Sequence, residues 1–251
     1  MNDTQSNNLE MLKGLNTIGL FKHMLEGVRW KTTTVLLLTP FLLTTWKYFA
    51  SYKYLMEQLP DSIGIFADKS QAAELIHFAL SLFLLGIVPC LVIKFLFREK
   101  LSDYGLQFGD AKHSMIVFAL LAPAFVAAAF LAAPDPQIRL EYPLDKLAGQ
   151  SLSRFGLHAL GYFCFYIGWE IYFRGFMQFG TQASFGVWNA ILVQTSLSCL
   201  LHIGKPTGEI FGSIAGGILW GIIAYRTKSI GCCLLLHATL GILLDAVICY
   251  R

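Results

Sequence analysis

Ionisable side chains stand inside strongly apolar segments in the second half of this 251-residue chain. The stretch GWEIYFRGF places Glu170 and Arg174 four residues apart, a spacing at which a carboxylate and a guanidinium share one helix face. His237 stands between the apolar runs CCLLL and ATLGILL. Carboxylates and imidazoles commonly transfer protons in enzymes, and a charge at the centre of a bilayer costs about 2.5–3.5 kcal/mol. We therefore expect these groups to face one another or a wet cavity.

His202 and Glu209 flank a helix break. In LLHIGKPTGE, Gly204 and Pro206 end one helix, and a proline suits the first turn of the next. Glu209 then falls in that first turn, where the positive end of the helix dipole favours a carboxylate. Each residue also has a structural explanation, His202 as a hydrogen-bonded residue at a helix end and Glu209 as a helix-start acid.

The remaining ionisable residues of this region are Asp245 and His158. Asp245 follows His237 by two turns, about 80° round the helix, so both can border one groove. His158 stands near the start of its segment and is interpreted as interfacial. At ~1.5 Å per residue, the distances from the turns at one membrane face are roughly 20 Å for Glu170, 14 Å for His237 and 28 Å for His202. Helix counting alone therefore leaves these three side chains at different depths.

The elements that must position these residues are membrane spans. The chain contains 55% hydrophobic and 14% charged residues, against roughly 25% charged in an average soluble domain. The composition predicts an all-α, polytopic bundle of about seven spans in a lipid bilayer, and the net charge of +3 gives no sign of nucleic-acid binding. The apolar segments, each near the ~20 residues of a helical span, are 32–54, 74–97, 113–133, 155–179, 187–203, 208–225 and 229–250.

The chain divides into a short N-terminal segment and one transmembrane domain. Residues 1–31 carry apolar side chains at helical spacing between lysines and arginines, which predicts an interfacial amphipathic helix, with a plain cytosolic tail as the alternative. Residues 32–251 form the transmembrane domain. Short turns join its last four spans, which predicts that they are antiparallel neighbours and places the catalytic four-helix core at 155–250.

Glycines recur along the segment GEIFGSIAGGILWG. Gly208, Gly212 and Gly216 are four residues apart, and Gly217 and Gly221 repeat the spacing. Small residues at this spacing let helices approach closely in lipid. We expect this helix to pack tightly against its neighbours.

Three motifs resemble, in order, those of the CPBP family, which includes type II CAAX prenyl endopeptidases and bacteriocin-processing and self-immunity proteins. They are WEIYFRG, HIGKPTGE, and RTKSIGCCLLLH with a later aspartate, and the resemblance extends over residues 98–250. The family pattern is a double-glutamate motif ending in arginine, a Phe-x-x-x-His motif and a His-x-x-x-Asn/Asp motif. Glu170 and Arg174 match the second glutamate and the arginine, and His202 and His237 match the two histidines.

Three positions depart from the family pattern. Trp169 stands where the usual catalytic glutamate would be, Ser198 replaces the phenylalanine, and Gly241 replaces the Asn/Asp. Asp245, one turn after Gly241, is a candidate for that last role, and Glu209 is a candidate for the acid that Trp169 has displaced. The combination is similar to a divergent bacterial branch of the family.

The resemblance implies an intramembrane endopeptidase, in a bacterial inner membrane, that hydrolyses a peptide bond of a membrane-associated peptide or protein. It implies Glu170, His202 and His237 as catalytic residues. Two imidazoles and a carboxylate suit Zn²⁺ with an open position for water. The same residues also serve a metal-free mechanism, in which Glu170 takes a proton from water and a histidine stabilises the oxyanion. The supporting residues are Arg174, Glu209 and Asp245.

Two other functions use the same features. Trp169 in place of an acid is compatible with a catalytically inactive relative that acts as a membrane scaffold or immunity protein. A small transporter could relay protons through Glu170, His202 and His237, although the sequence contains no inverted repeat of the kind that transporters show.

Overall fold

The computed structural model describes residues 16, 18–19, 28–61 and 65–251. The predicted amphipathic segment, 1–31, lies almost entirely outside these residues. The described residues form an all-α fold without a β-strand, as the composition predicts.

The helices are numbered here in chain order. They are α1 (Trp30–Phe49), α2 (Tyr52–Gln58), α3 (Lys69–Phe97), α4 (Ala111–Ala132), α5 (Pro136–Glu141), α6 (152–185), α7 (Val187–Leu201), α8 (Thr207–Thr227) and α9 (Gly231–Tyr250).

The helices lie at all seven predicted spans, but they are not equally apolar. By length and composition, α3, α4, α8 and α9 can cross a membrane. Helix α7 is apolar but has 15 residues. Helices α1 and α6 coincide with the other two spans, and polar residues such as Lys47 and Glu170 lower their mean hydropathy. The chain is an integral membrane helix bundle, and buried polar groups occur both in its more apolar helices, as Glu74 in α3 and Asp245 in α9, and in α6.

Helix α6 lies at the centre of the bundle. It begins as an α-helix, Leu152–Glu170, widens into a π-helix, Ile171–Phe179, and ends as an α-helix, Gly180–Phe185. Every residue of the π-helix is buried, because α1, α3, α7 and α8 pack around it. Longer π-helical stretches are rare and frequently occur at functional sites. This one begins at the residue after Glu170.

The last four spans are not all sequential neighbours. Helices α7 and α8 form an antiparallel pair, and α7 packs on the π-helix of α6. Helix α9 packs mainly along α4 and the first half of α6, and touches α8 less. The apolar residues Ala129 and Ala133 meet Leu244 and Val247 in the α4–α9 contact. Helix α4, which lies outside the predicted 155–250 core, is therefore a main packing partner of α9.

Two of the five α8 glycines account for the close packing of α7 and α8. A Cβ atom at Gly217 would lie 2.8 Å from Thr195 Cγ2, and one at Gly221 would lie 2.8 Å from Ile191 Cγ2. Both neighbours belong to α7. The expectation is wrong for the other three glycines, because their face of α8 points away from the described residues: nothing lies within 4 Å of a Cβ at Gly208, Gly212 or Gly216.

Candidate active site

Glu170 and His237 meet between α6 and α9. Glu170 Oε1 lies 2.8 Å from His237 Nδ1 and 3.2 Å from Arg174 Nη1. The Glu170 side chain is 0% exposed, whereas that of His237 is 22% exposed. An ionised carboxylate only accepts hydrogen bonds, so His237 Nδ1 donates to it and Nε2 is left for another partner.

His202 and Glu209 form a second pair, at the turn between α7 and α8. His202 Nδ1 lies 2.7 Å from Ser198 O and must donate, because a carbonyl only accepts. In the neutral ring, Nε2 therefore keeps its lone pair. Nε2 lies 3.8 Å from Glu209 Oε1, which is too long for a direct hydrogen bond and suits a bridging water. The side chains of His202 and Glu209 are 18% and 22% exposed, so this pair is accessible to solvent, whereas Glu170 is fully buried.

Tyr142 covers the second pair from the connection between α4 and α6. Its hydroxyl donates to Glu209 Oε1 over 2.6 Å, and Lys205 Nζ donates to Tyr142 Oη over 3.1 Å and also pairs with Glu141. Burial, followed by the nearby Glu209 charge, raises the pKa of Tyr142 well above its usual 10, so the hydroxyl keeps its proton. Sequence reasoning missed Tyr142, because it stands in a polar connection far along the chain from Glu209.

Aromatic rings connect the two pairs. The Trp169 ring stands edge-on to the His202 ring, with 5.8 Å between centroids, and the Tyr166 ring lies 4.5 Å from the His237 ring. The Phe165 ring packs on both Trp169 and Tyr166, so a continuous series of ring contacts joins the two imidazoles. A Cβ atom at Gly241 would overlap Tyr166 Oη. The tyrosine hydroxyl therefore occupies the space next to Gly241.

Asp245 is directed into a different cluster. Its Oδ2 lies 3.0 Å from His158 Nε2, and His158 Nδ1 lies 2.9 Å from Glu74 Oε1. The His158 side chain is 1% exposed, so its interpretation as interfacial is wrong. It is enclosed by carboxylates from α3 and α9. Sequence reasoning missed this partnership, because Glu74 is 84 residues from His158 and lies outside the predicted 155–250 core.

Arg154 extends this cluster toward the end of the bundle. Its guanidinium binds Asp145 through Nε at 2.6 Å and Nη2 at 2.8 Å, and Nη1 lies 2.6 Å from Asp68 Oδ2. The Asp145 amide in turn donates to Glu74 Oε1 over 2.9 Å. The cluster ties the start of α3, the start of α6 and the connection before α6 into one network.

The residues proposed for zinc do not assemble into a metal site in this arrangement. Within the described ranges, no three His, Cys, Asp or Glu side chains are placed to hold one ion. Glu170 Oε1 and His237 Nδ1 bind each other, so neither atom is free as a ligand.

The comparisons with known proteins agree with the motifs. Residues 151–243 match a family model described as Rce1-like, type II CAAX prenyl endopeptidase Rce1-like. No curated protein and no solved structure matches the chain. The matched residues run from the N-cap of α6 into α9 and include both pairs described above. Residues 151–243 are therefore similar to the type II CAAX prenyl endopeptidases of the CPBP/CAAX protease family.

Proposed function

We propose that the chain hydrolyses a peptide bond of a membrane-associated substrate, in a bacterial inner membrane, with a water molecule that Glu209 activates. The observation that carries the proposal is the partly exposed pair of Glu209 Oε1 and His202 Nε2, 3.8 Å apart and able to share one water, in a segment that matches an endopeptidase family model. The name of the matching family supports a peptide beside a prenyl anchor as the substrate class.

Glu209 is better placed than Glu170 to act as the base. A general base must reach the proton that it removes. Glu170 Oε1 already accepts from Arg174 and His237, and its side chain is fully buried. Within the described part of the chain, Oε2 of both glutamates is buried and has no hydrogen-bond partner, so the difference between them lies in exposure: the Glu209 side chain is 22% exposed. Trp169 stands where the family pattern has an acid, and its ring packs on His202. Glu209 brings a carboxylate to the same imidazole from α8.

The proposed reaction uses a water held between His202 and Glu209. Nε2 of neutral His202 accepts a hydrogen bond from the water, and Glu209 takes the other proton as the water oxygen attacks the carbonyl carbon. The new C–O bond forms while the carbonyl π electrons move onto the oxygen. When the tetrahedral intermediate collapses, the C–N bond breaks, and Glu209 returns its proton to the departing amine.

His237 stabilises the oxyanion in this proposal, and Glu170 positions His237. In the imidazolium form, Nε2–H can donate to the oxyanion while Nδ1–H remains bound to Glu170. Glu170 compensates the charge of that imidazolium, and Arg174 compensates Glu170. The three charges therefore act as one unit, in which only His237 touches the reacting atoms.

The test compares the two acids with a farnesylated, internally quenched CAAX peptide as the substrate of the protein in lipid nanodiscs. We expect Glu209→Gln to lower kcat by about 10³-fold, because the water loses its base. Glu170→Gln removes a charge that acts only through His237, and we expect a smaller loss of about 10–100-fold. The melting temperature of each variant is measured beside its rate.

Two outcomes would contradict this assignment. Full activity of Glu209→Gln together with complete loss in Glu170→Gln would make Glu170 the base. If the wild type does not cleave the peptide and a panel of unprenylated membrane-anchored peptides, the scaffold function suggested by Trp169 would be favoured instead.

A further inference from the structure

Tyr166 borders the candidate active site from α6, one turn before Glu170. The centroid of its ring lies 4.5 Å from that of His237, with 46° between the ring planes, and 4.5 Å from that of Tyr162, with 28° between the planes. The residue is 4% exposed. Packing against these two rings in a buried position holds the Tyr166 ring in place, and this packing determines the position of its hydroxyl.

The Tyr166 hydroxyl reaches the backbone of α9 at Gly241. A Cβ atom at this position would overlap Tyr166 Oη, and would lie 2.7 Å from Cζ and 3.1 Å from Cε2. Only glycine leaves room for Tyr166 in this orientation. Because Gly241 follows His237 by four residues, the two positions lie on the same face of α9. The hydroxyl therefore stands beside the imidazole, one helical turn along.

The Tyr166 hydroxyl can donate a hydrogen bond to a bound molecule. A phenol hydroxyl has one proton to donate and lone pairs to accept with. Glu170 and Glu209 both lie within electrostatic range of Tyr166. The Tyr166 ring packs against His237, beside which the proposed reaction places the substrate oxyanion.

We propose that Tyr166 is a further catalytic residue, whose hydroxyl donates a hydrogen bond to the oxyanion beside His237. The inference rests on the proposed peptidase activity. The hydroxyl keeps its proton throughout, so no bond is made or broken at Tyr166. Fixed donors placed where charge develops are among the largest contributions to acyl-transfer catalysis, and one such donor is worth about 10²–10³-fold in kcat.

The first experiment removes the hydroxyl and keeps the ring. In the nanodisc assay with the farnesylated CAAX peptide, we expect Tyr166→Phe to lower kcat by about 10²-fold or more. KM and the melting temperature should change little, because the ring contacts remain. Tyr172→Phe is the matched control, since Tyr172 is a buried tyrosine of the same helix within the apolar core.

The second experiment moves the donor from α6 to α9. Tyr166→Ala removes the hydroxyl and empties the space next to Gly241, whereas Gly241→Asn alone places an amide where the tyrosine stands. We expect both single variants to lose activity. In Tyr166→Ala/Gly241→Asn the asparagine amide can donate from the vacated space, and we expect at least a tenfold gain in kcat over Tyr166→Ala.

The outcomes separate this inference from the proposed function. An active wild type with an equally active Tyr166→Phe overturns the donor role alone. A double variant no better than Tyr166→Ala, in protein that remains folded, also overturns it. Absence of cleavage by the wild type overturns the proposed function, and this inference with it. If Tyr166→Phe is unstable, the double variant decides, because it changes the packing in the same place and restores only the donor.

Discussion

Glu170 and Glu209 differ in what surrounds their oxygen atoms. Glu170 is fully buried, and one of its oxygens is shared by Arg174 and His237. Glu209 accepts from Tyr142, faces His202 across a gap and is partly exposed. A buried carboxylate with a compensating guanidinium is suited to orienting a neighbour. A partly exposed carboxylate next to a gap is suited to meeting a water molecule.

The arrangement of donor atoms predicts the response to metal removal. Because the described residues bring no three ligands together, we expect cleavage of the CAAX peptide to keep at least half of its rate after dialysis against a strong zinc chelator. The measurement is the rate before and after dialysis, with the metal content of the purified protein determined in parallel. A complete loss of activity that stoichiometric Zn²⁺ restores would contradict the metal-free mechanism.

The π-helix in α6 reduces the difference in calculated depth between two residues that are in contact. Counting ~1.5 Å per residue places Glu170 and His237 roughly 6 Å apart in depth. Residues Ile171–Phe179 are π-helical, with i→i+5 hydrogen bonds and therefore more residues in each turn. Such a stretch is shorter than an α-helix of equal residue count. It brings Glu170 closer to the turn than α-helical counting predicts.

The α7–α8 contact predicts a difference between two glycines of one helix. A Cβ at Gly221 would meet Ile191 Cγ2 at 2.8 Å and Gln178 Oε1 at 3.0 Å, whereas Gly212 has open space around it. We expect Gly221→Ala to destabilise the protein by about 1–3 kcal/mol through overpacking. Gly212→Ala should be neutral or stabilising by about 0.5–1 kcal/mol, because alanine favours the helix. Thermal unfolding in detergent measures both, and equal effects would contradict this assignment of the two faces.

At the scale of the molecule, two polar clusters among the described residues differ in exposure. In the candidate active site, His202, Glu209 and His237 are partly exposed. The side chains of His158, Glu74 and Asp245 are buried between α3, α6 and α9. Arg154 continues the sealed cluster to Asp145 and Asp68. A buried charge network of this kind is costly to break at one point, because the remaining charges lose their compensation. We interpret this second cluster as a connection between helices that holds the bundle around the site.

Arg154 gives this cluster a measurable pH dependence. Hydrogen bonds from its guanidinium lower the pKa of Asp68 below the usual 3.8. Because the pKa of Asp68 is lower in the folded protein than in the unfolded chain, the contact with Arg154 stabilises the fold above pH 3.8. This stabilisation is lost as the pH falls through the folded-state pKa of Asp68. We expect Arg154→Met to destabilise the protein by about 3–5 kcal/mol at pH 7, and the difference from wild type to shrink near pH 3. Melting temperatures at both pH values measure this.

The control for this prediction is Arg139→Met, in an exposed arginine of α5 that forms no ion pair with the described residues. It should change the melting temperature little at either pH. A gap between wild type and Arg154→Met that stays constant down to pH 3 would show that Asp68 does not contribute through this contact.

The sequence by itself determined the class of the molecule and the segments that carry its chemistry. Long apolar runs have one stable solution in lipid, which is the helix, so the all-α bundle follows from composition. Charges in such runs are costly, and this singled out Glu170, His202 and His237 before any contact was known. The motifs around these residues were enough to indicate the family. Each of these conclusions depends on local composition and spacing, which the chain carries directly.

Only the tertiary structure decided which polar groups meet and which of them are open. Asp245 lies on the same helix as His237, yet it binds His158, because α3 supplies Glu74 from far along the chain. Tyr142 reaches Glu209 across 67 residues, and no local pattern marks it. Pairing, burial and solvent access depend on how distant helices pack, and helix periodicity in one segment does not contain that information.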